Sequence, residues 1–172
     1  MGVCSYSFYI RHSIYVIGGE ISYDRAPSED TVTDTVERLD DNGTEWVAVA
    51  PMNHKRIDPS VAEVQGIIYV VGGTLTEYFR CIGGESSCES YDPNSGQWTV
   101  LRDIPFSTRN ITSNGTTLFA FDESQFSFGS ILKSHKRQDD SWETLEFLEG
   151  TVQYVGTVSC NLKDVRVIHN ID

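Results

Sequence analysis

The hydrophobic residues of this chain fall into short runs that return at a regular interval. An apolar run at residues 14–17 ends in a glycine pair, residues 68–71 repeat the run and the pair, and residues 118–121 repeat the run alone. The interval is about 50 residues, which is typical of one supersecondary unit copied along a chain. We therefore divide the sequence into repeated units before assigning its secondary structure.

Each unit also carries a tryptophan in a matching place. The residues that share this pattern are the three tryptophans and the residue seven positions before each of them: Trp46 with Leu39, Trp98 with Tyr91, and Trp142 with His135. We predict four short strands per unit, with the apolar run as the second strand and the tryptophan on the fourth. Dense turn chemistry at residues 92–96 separates the third strand from the fourth. No helical spacing with caps is sustained, so the pattern predicts an all-β chain.

Composition narrows the class of protein. The chain has 172 residues, a formal net charge of -12 and 39% hydrophobic content, which describes one ordinary folded domain. An acidic chain lacks the clustered Lys and Arg that phosphate contacts need, so we expect no nucleic-acid partner. The longest apolar run, residues 67–71, is too short to cross a bilayer, and the N-terminus lacks the features of a secretory signal. We expect a cytoplasmic protein with no membrane contact.

The repeat resembles a known family. An apolar run, a glycine pair, a later aromatic residue and a tryptophan seven positions on are similar to the kelch repeat, the blade of a β-propeller. The second unit is the clearest, and Glu89-Ser90-Tyr91-Asp92-Pro93 through Trp98 resembles the propellers of kelch-like ubiquitin-ligase adaptors. The resemblance implies four-stranded antiparallel blades at about residues 3–52, 59–104 and 106–148, with a half blade at 151–172.

Three and a half blades do not close a ring, since propellers typically have about 4–8 blades. We expect a piece of a longer propeller or a truncated product, and the alternative is that copies complete a ring together. An open arc leaves apolar blade faces uncovered at its ends, which predicts self-association through those ends.

The resemblance implies a non-catalytic protein-interaction module, whose partner is either the substrate of a ubiquitin ligase or actin. Partner-binding residues are expected in the loops after the glycine pairs and in the blade-to-blade connections, where Arg and Tyr dominate interface energetics. The candidates are Tyr23, Arg25, Arg56, Tyr78, Arg80 and Arg109. A structural role is the alternative for Arg56 and Arg109, because kelch repeats often hold an arginine there.

Enzymatic alternatives fit less well. A galactose-oxidase-like copper site needs converging ligands, and the four histidines (His12, His54, His135 and His169) lie far apart in the repeat. The sialidase Asp box is not matched, because the glycine near Trp98 comes two residues too late. Four scattered cysteines without a CxxC pair anchor no zinc site. We expect no cofactor, no metal and no catalysis, with an enzyme fragment or a nonfunctional truncated product as the alternatives.

Overall fold

A computed structural model of the chain describes twelve strands arranged in three sheets. The described residues are 2–10, 13–22, 31–75, 86–106, 108, 111–122, 130–136 and 139–148. The first sheet contains β1 (Gly2–Ile10), β2 (Ser13–Ser22), β3 (Val32–Leu39) and β4 (Trp46–Ala48). The second contains β5 (Ser60–Val64), β6 (Ile67–Val71), β7 (Cys88–Asp92) and β8 (Gln97–Val100). The third contains β9 (Ile111–Ser113), β10 (Leu118–Asp122), β11 (Ser130–Lys136) and β12 (Ser141–Leu148).

Each sheet is a four-stranded antiparallel meander of consecutive strands. No described residue is helical. The predicted all-β class with four-stranded antiparallel blades is therefore confirmed, while the predicted half blade at residues 151–172 lies outside the described residues. Since every sheet takes all its strands from one stretch of chain, neighbouring blades meet face to face and exchange no strand.

The register places each tryptophan opposite the residue seven positions before it. The paired positions are Leu39 with Trp46, Tyr91 with Trp98, and His135 with Trp142. Directly opposed residues of an antiparallel pair lie on the same face of the sheet, where large side chains contact one another. The ring centroids of Tyr91 and Trp98 are 5.0 Å apart, so these two side chains are in contact.

Two hydrophobic clusters hold the blades together. The first joins the first and second blades and contains Tyr15, Ile17, Val36, Met52, Val61, Ile68, Val70 and Tyr91. The second joins the second and third blades and contains Val64, Tyr69, Val71, Cys88, Ile104, Phe106, Ile111, Leu118 and Ala120. Every blade-to-blade contact thus has its own core, as expected of stacked repeats that cannot bury their faces alone.

Two of the three tryptophans pack against these clusters, and the third is exposed. Trp98 packs against the first cluster, as Val49 and Ala50 do, and its indole N–H donates to the Ala50 carbonyl at 2.8 Å. Trp142 packs on the second cluster, with its ring 5.4 Å from that of Phe106. Trp46 is 48% exposed, so no second blade buries it among the described residues.

All four glycines of the two pairs adopt positive φ values, but only the second pair follows directly on the end of a strand. β6 stops at Val71, just before Gly72, as expected. β2 instead continues through a bulge at Gly18 and Gly19 to Ser22, because β1 and β3 flank it on both sides beyond the pair. The bulge lets the backbone of the following blade-to-blade connection approach closely, and a Cβ at Gly18 would lie 2.6 Å from the Arg56 carbonyl oxygen.

A comparison of two glycines of the second blade distinguishes the cost of a positive φ from the cost of a steric clash at Cβ. Gly73 (φ 88°) and Gly96 (φ 67°) both lie in the left-handed region, which costs an alanine about 1–2 kcal/mol. A Cβ at Gly73 would also lie 2.9 Å from the Ile57 carbonyl oxygen, whereas one at Gly96 would meet nothing within 4 Å. We expect Gly73→Ala to lower the free energy of unfolding by at least about 1 kcal/mol more than Gly96→Ala in urea denaturation. If the free energy of unfolding decreased equally in the two variants, the blade-to-blade connection would not be in close contact with Gly73.

Candidate functional site

The connection between the first and second blades runs between their two glycine pairs. The Gly19 N–H donates to the Arg56 carbonyl at 2.7 Å, which attaches the connection to the first blade. Ile57 and Thr74 exchange two backbone hydrogen bonds of 2.9 Å, which attach it to the second blade just beyond Gly73. Residues 56 and 57 therefore lie between the two blades at the end from which the β2–β3 and β6–β7 loops emerge.

A buried ion pair fixes this connection. The Arg56 side chain is completely buried, and its Nη2 and Nε donate to Glu89 Oε1 at 2.9 and 3.2 Å. Glu89 lies on β7 and is itself 0% exposed. A buried charge is costly unless it is paired and its remaining hydrogen-bonding groups are satisfied. Arg56 and Glu89 meet the first condition, and their neighbours meet the second.

The remaining donors of Arg56 are used by the second blade. Nη1 donates to the carbonyls of Gly72 and Ser87, the latter at 3.1 Å, and to the Ser87 hydroxyl at 2.9 Å. Gly72 follows β6 and Ser87 precedes β7, so both residues flank the β6–β7 loop. One guanidinium thus ties the blade-to-blade connection to both ends of that loop.

The second oxygen of Glu89 is held by Asn53, which belongs to the same connection. The backbone N–H and the side-chain amide of Asn53 donate to Oε2 at 2.8 and 2.9 Å. Burial alone raises the pKa of the Glu89 carboxyl, but the bonds from Asn53 and the guanidinium of Arg56 outweigh it and lower the pKa below its ordinary value. Glu89 is therefore held as a carboxylate with both oxygens occupied.

His54 lies at the edge of this cluster. Its Nδ1 is 3.6 Å from Glu89 Oε1, and the side chain is 43% exposed. That nitrogen is buried and makes no hydrogen bond to the described residues.

The contact between the second and third blades is built with different residues. His135 Nε2 lies 2.9 Å from Asp140 Oδ1, and Asp140 Oδ2 accepts the Arg102 backbone N–H at 2.5 Å. A groove of about 330 Å³ opens beside them toward Tyr69 and the polar side of β8. Arg56 lies ten residues after Trp46, and the residue ten positions after Trp98 is Thr108. Arginine is therefore not repeated at this position.

The described residues contain no group of three or more His, Cys, Asp or Glu side chains placed to hold a metal ion. Cys88 is a free, buried thiol. Burial raises its pKa to about 12, and the positive charge of Arg56 offsets only part of that effect. A thiol that stays protonated is a poor nucleophile and a poor metal ligand.

The six predicted binding residues divide sharply. Arg56 is described, and its guanidinium is committed to Glu89, Gly72 and Ser87, as in the structural alternative. The other five lie outside the described residues, and they are Tyr23, Arg25, Tyr78, Arg80 and Arg109. Sequence reasoning missed Glu89 and Asn53 as the partners of Arg56. Glu89 could have been identified as a candidate because it is a glutamate within a strand, β7, that is otherwise mostly buried.

The Arg56–Glu89 pair predicts a specific dependence of stability on pH. Glu89→Gln leaves Arg56 buried without a counter-charge, so it should lower the free energy of unfolding at about pH 7 by about 3–5 kcal/mol. A carboxyl whose pKa is lowered by folding contributes stability above its unfolded pKa and loses it as pH falls through its folded pKa. Urea denaturation of the wild type and of Glu89→Gln should therefore give values that converge as the pH is lowered.

The control for this comparison is Asp103→Asn, which removes an exposed carboxylate outside the pair. The double variant Arg56→Met/Glu89→Leu should lose less stability than Glu89→Gln alone, because no unpaired charge remains buried. A difference between wild type and Glu89→Gln that stays constant from neutral to acidic pH would contradict the assigned ion pair.

Comparison with known proteins supports the family suggested by the repeat. Residues 55–105 match the Kelch motif, a segment that begins in the first blade-to-blade connection and includes the whole second blade. Kelch-like protein 36 of Rattus norvegicus is 29% identical over 99 residues, 55% of this chain and 15% of that protein. Kelch-like protein 23 of Homo sapiens is 28% identical over 109 residues, 63% of this chain and 16% of that protein.

Kelch repeat and BTB domain-containing protein 12 of Danio rerio is 28% identical over 99 residues, 55% of this chain and 15% of that protein. The matched part of this chain thus spans about a sixth of the length of these three relatives. The described residues include no helix long and apolar enough to span a membrane. The second blade thus matches the Kelch motif, and the described sheets on either side of it share its four-strand pattern.

Proposed function

We propose that this kelch-repeat module holds a protein substrate for a ubiquitin ligase, in the manner of the kelch-like adaptors that it resembles. Its kelch-like relatives support the coarser function of a protein-interaction module. One of them is named for a BTB domain beside its kelch repeats, which supports the adaptor role. The proposal rests on one observation: the buried Arg56–Glu89 pair fixes the points at which the surrounding loops start and end.

The pair turns one end of the blades into a rigid platform. Arg56 and Ile57 are bonded to the first blade at Gly19 and to the second blade at Gly72 and Thr74. On the other side of the β6–β7 loop, the Ile104 N–H of the next connection donates to the Ser86 carbonyl at 2.9 Å. Loops that start and end on fixed points can present side chains with little loss of entropy on binding.

We propose that the partner contacts the side chains carried by these loops and connections. Tyr78 and Arg80 follow the glycine pair of the second blade, Tyr23 and Arg25 follow that of the first, and Arg109 lies in the second connection. Tyrosine and arginine are the residue types that most often dominate binding energy at protein interfaces. Arg56 then acts indirectly, as the residue that positions the platform.

Binding without catalysis is part of the proposal, as is a cytoplasmic location. One carboxylate at each of the two blade contacts is engaged in a structural pair, Glu89 with Arg56 and Asp140 with His135. The buried thiol of Cys88 fits a reducing compartment, where cysteines stay unpaired.

A capture experiment with matched variants tests the proposal. The tagged chain, its Tyr78→Ala/Arg80→Ala variant and its Ser95→Ala/Gln97→Ala variant are expressed in cells, and the bound proteins are quantified by mass spectrometry. Ser95 and Gln97 are in the turn and strand at the opposite end of the second blade. We expect proteins that the wild type and the control retain, and that the Tyr78→Ala/Arg80→Ala variant loses by about tenfold or more.

The ligase assignment has a separate readout. Proteins that depend on Tyr78 and Arg80 should accumulate when cullin-type ligases are inhibited in the cell. Cosedimentation of the purified chain with filamentous actin, without such accumulation, would replace the ligase role by the actin-binding one. Identical protein sets for all three forms would contradict binding through the loops.

A further inference from the structure

The two ring nitrogens of His54 lie in different surroundings. Nδ1 is buried and makes no hydrogen bond to the described residues, although the side chain as a whole is 43% exposed. Nε2, at the tip of the ring, is not buried in this way and bonds to no described residue, so it faces solvent. A buried polar atom without a hydrogen bond is uncommon in folded proteins, so the surroundings of Nδ1 call for an explanation.

Nδ1 faces a carboxylate that has no hydrogen-bonding capacity left. It lies 3.6 Å from Glu89 Oε1, which already accepts from Nε and Nη2 of Arg56. Glu89 Oε2 accepts from the backbone and the side chain of Asn53. A carboxylate has about four lone-pair sites, and these four donors fill them. His54 therefore approaches Glu89 closely without reaching hydrogen-bonding distance.

This carboxylate decides which nitrogen of the neutral His54 ring carries the hydrogen. A neutral imidazole has a hydrogen on one nitrogen and a lone pair on the other. A lone pair on Nδ1 would face the negative oxygen of Glu89 and would have no donor among the described residues. A hydrogen on Nδ1 turns the positive end of the N–H dipole toward that oxygen. The surroundings thus favour the Nδ1–H tautomer, which leaves the lone pair on Nε2, facing solvent.

The main chain on both sides of His54 is held in place. The Met52 N–H donates to the Asp34 carbonyl at 2.9 Å, and the Arg56 N–H donates to the Thr33 carbonyl at 3.0 Å. His54 is midway between these two anchors, at the end of the blades from which the β2–β3 and β6–β7 loops emerge. Its ring is therefore positioned before any partner arrives, which lowers the entropy lost on binding.

We propose that His54 is a contact residue of the binding platform and accepts, at Nε2, a hydrogen bond from a hydroxyl or amide group of the protein partner. This inference rests on the function proposed above. The next residue, Lys55, is exposed, and its positive charge disfavours a lysine or arginine of the partner as the donor. Glu89 is then a positioning residue, because it orients the ring and sets its tautomer without touching the partner.

Nuclear magnetic resonance of the folded chain tests the tautomer without a partner. Long-range ¹H–¹⁵N correlations, recorded at about pH 8 to keep imidazoles neutral, show which ring nitrogen carries the hydrogen. His54 should carry it on Nδ1. His135 is the internal reference and should carry it on Nε2, because its Nε2 lies 2.9 Å from Asp140 Oδ1. The variants His54→Gln and His135→Gln assign the two sets of signals.

Three substitutions of His54 test the contact, because they alter the two ring nitrogens separately. The amide of His54→Gln reaches the place of Nε2 and carries an oxygen that can accept there. The amide of His54→Asn lies near the place of Nδ1 and leaves nothing at Nε2, and His54→Phe keeps a ring without either nitrogen. Each variant is checked for its fold by circular dichroism.

The capture experiment described above supplies the readout. Proteins whose capture depends on Tyr78 and Arg80 should remain on His54→Gln, as they do on the control Ser95→Ala/Gln97→Ala. They should be lost by about fivefold or more from His54→Asn and His54→Phe, because the donor of the partner is then left without an acceptor.

The outcomes separate this inference from the proposed function. Capture by the wild type of no protein that depends on Tyr78 and Arg80 would contradict the proposed function and the contact together. If such proteins are captured and His54→Phe retains them undiminished, the proposed function stands and the contact at His54 is wrong. Equal losses from His54→Gln and His54→Phe would overturn the role of hydrogen-bond acceptor, as would a hydrogen on Nε2 of His54 in the magnetic resonance spectra.

Discussion

The structure depends on bringing the positive charge of Arg56 into an otherwise apolar contact between two blades. A buried guanidinium is stable only with a counter-charge and with acceptors for its other hydrogens, so its surroundings are constrained. Glu89 supplies the charge, Gly72 and Ser87 supply the other acceptors, and Asn53 occupies the remaining oxygen of Glu89. This requirement sets the path of the connection and the positions from which the β6–β7 loop leaves the blade.

The same contact links packing to function. Hydrophobic burial between blades is non-directional and would tolerate small slides of one sheet over the other. The ion pair and the Trp98–Ala50 hydrogen bond are directional, and they select one arrangement. The contact thus holds the two blades in fixed relation, as the proposed recognition of a partner through loops on both blades requires.

Local sequence patterns predicted most of the fold. The features that they did not predict depend on contacts between residues far apart in the chain. The glycine pairs and tryptophans are local marks of strand ends and rims, so the four-strand repeat could be predicted from sequence alone. The exposure of Trp46 could not, because burial of a rim tryptophan depends on a neighbouring blade. The pairing of Arg56 with Glu89 joins residues 33 positions apart, and nothing in the local pattern of either residue identifies the other. The bulge in β2 likewise depends on two flanking strands.

Native-state hydrogen exchange tests most directly whether the ion-paired connection is as firmly held as the blade cores. The amide of Gly19, bonded to the Arg56 carbonyl, and those of Asn53, Ile57 and Thr74 report on it. If the connection and the blades form one cooperative unit, these amides should exchange with the free energy of global unfolding, as the amide of Val70 in β6 should. Fast exchange of the connection amides beside a protected Val70 would contradict the account, because the connection would then open without unfolding the blades.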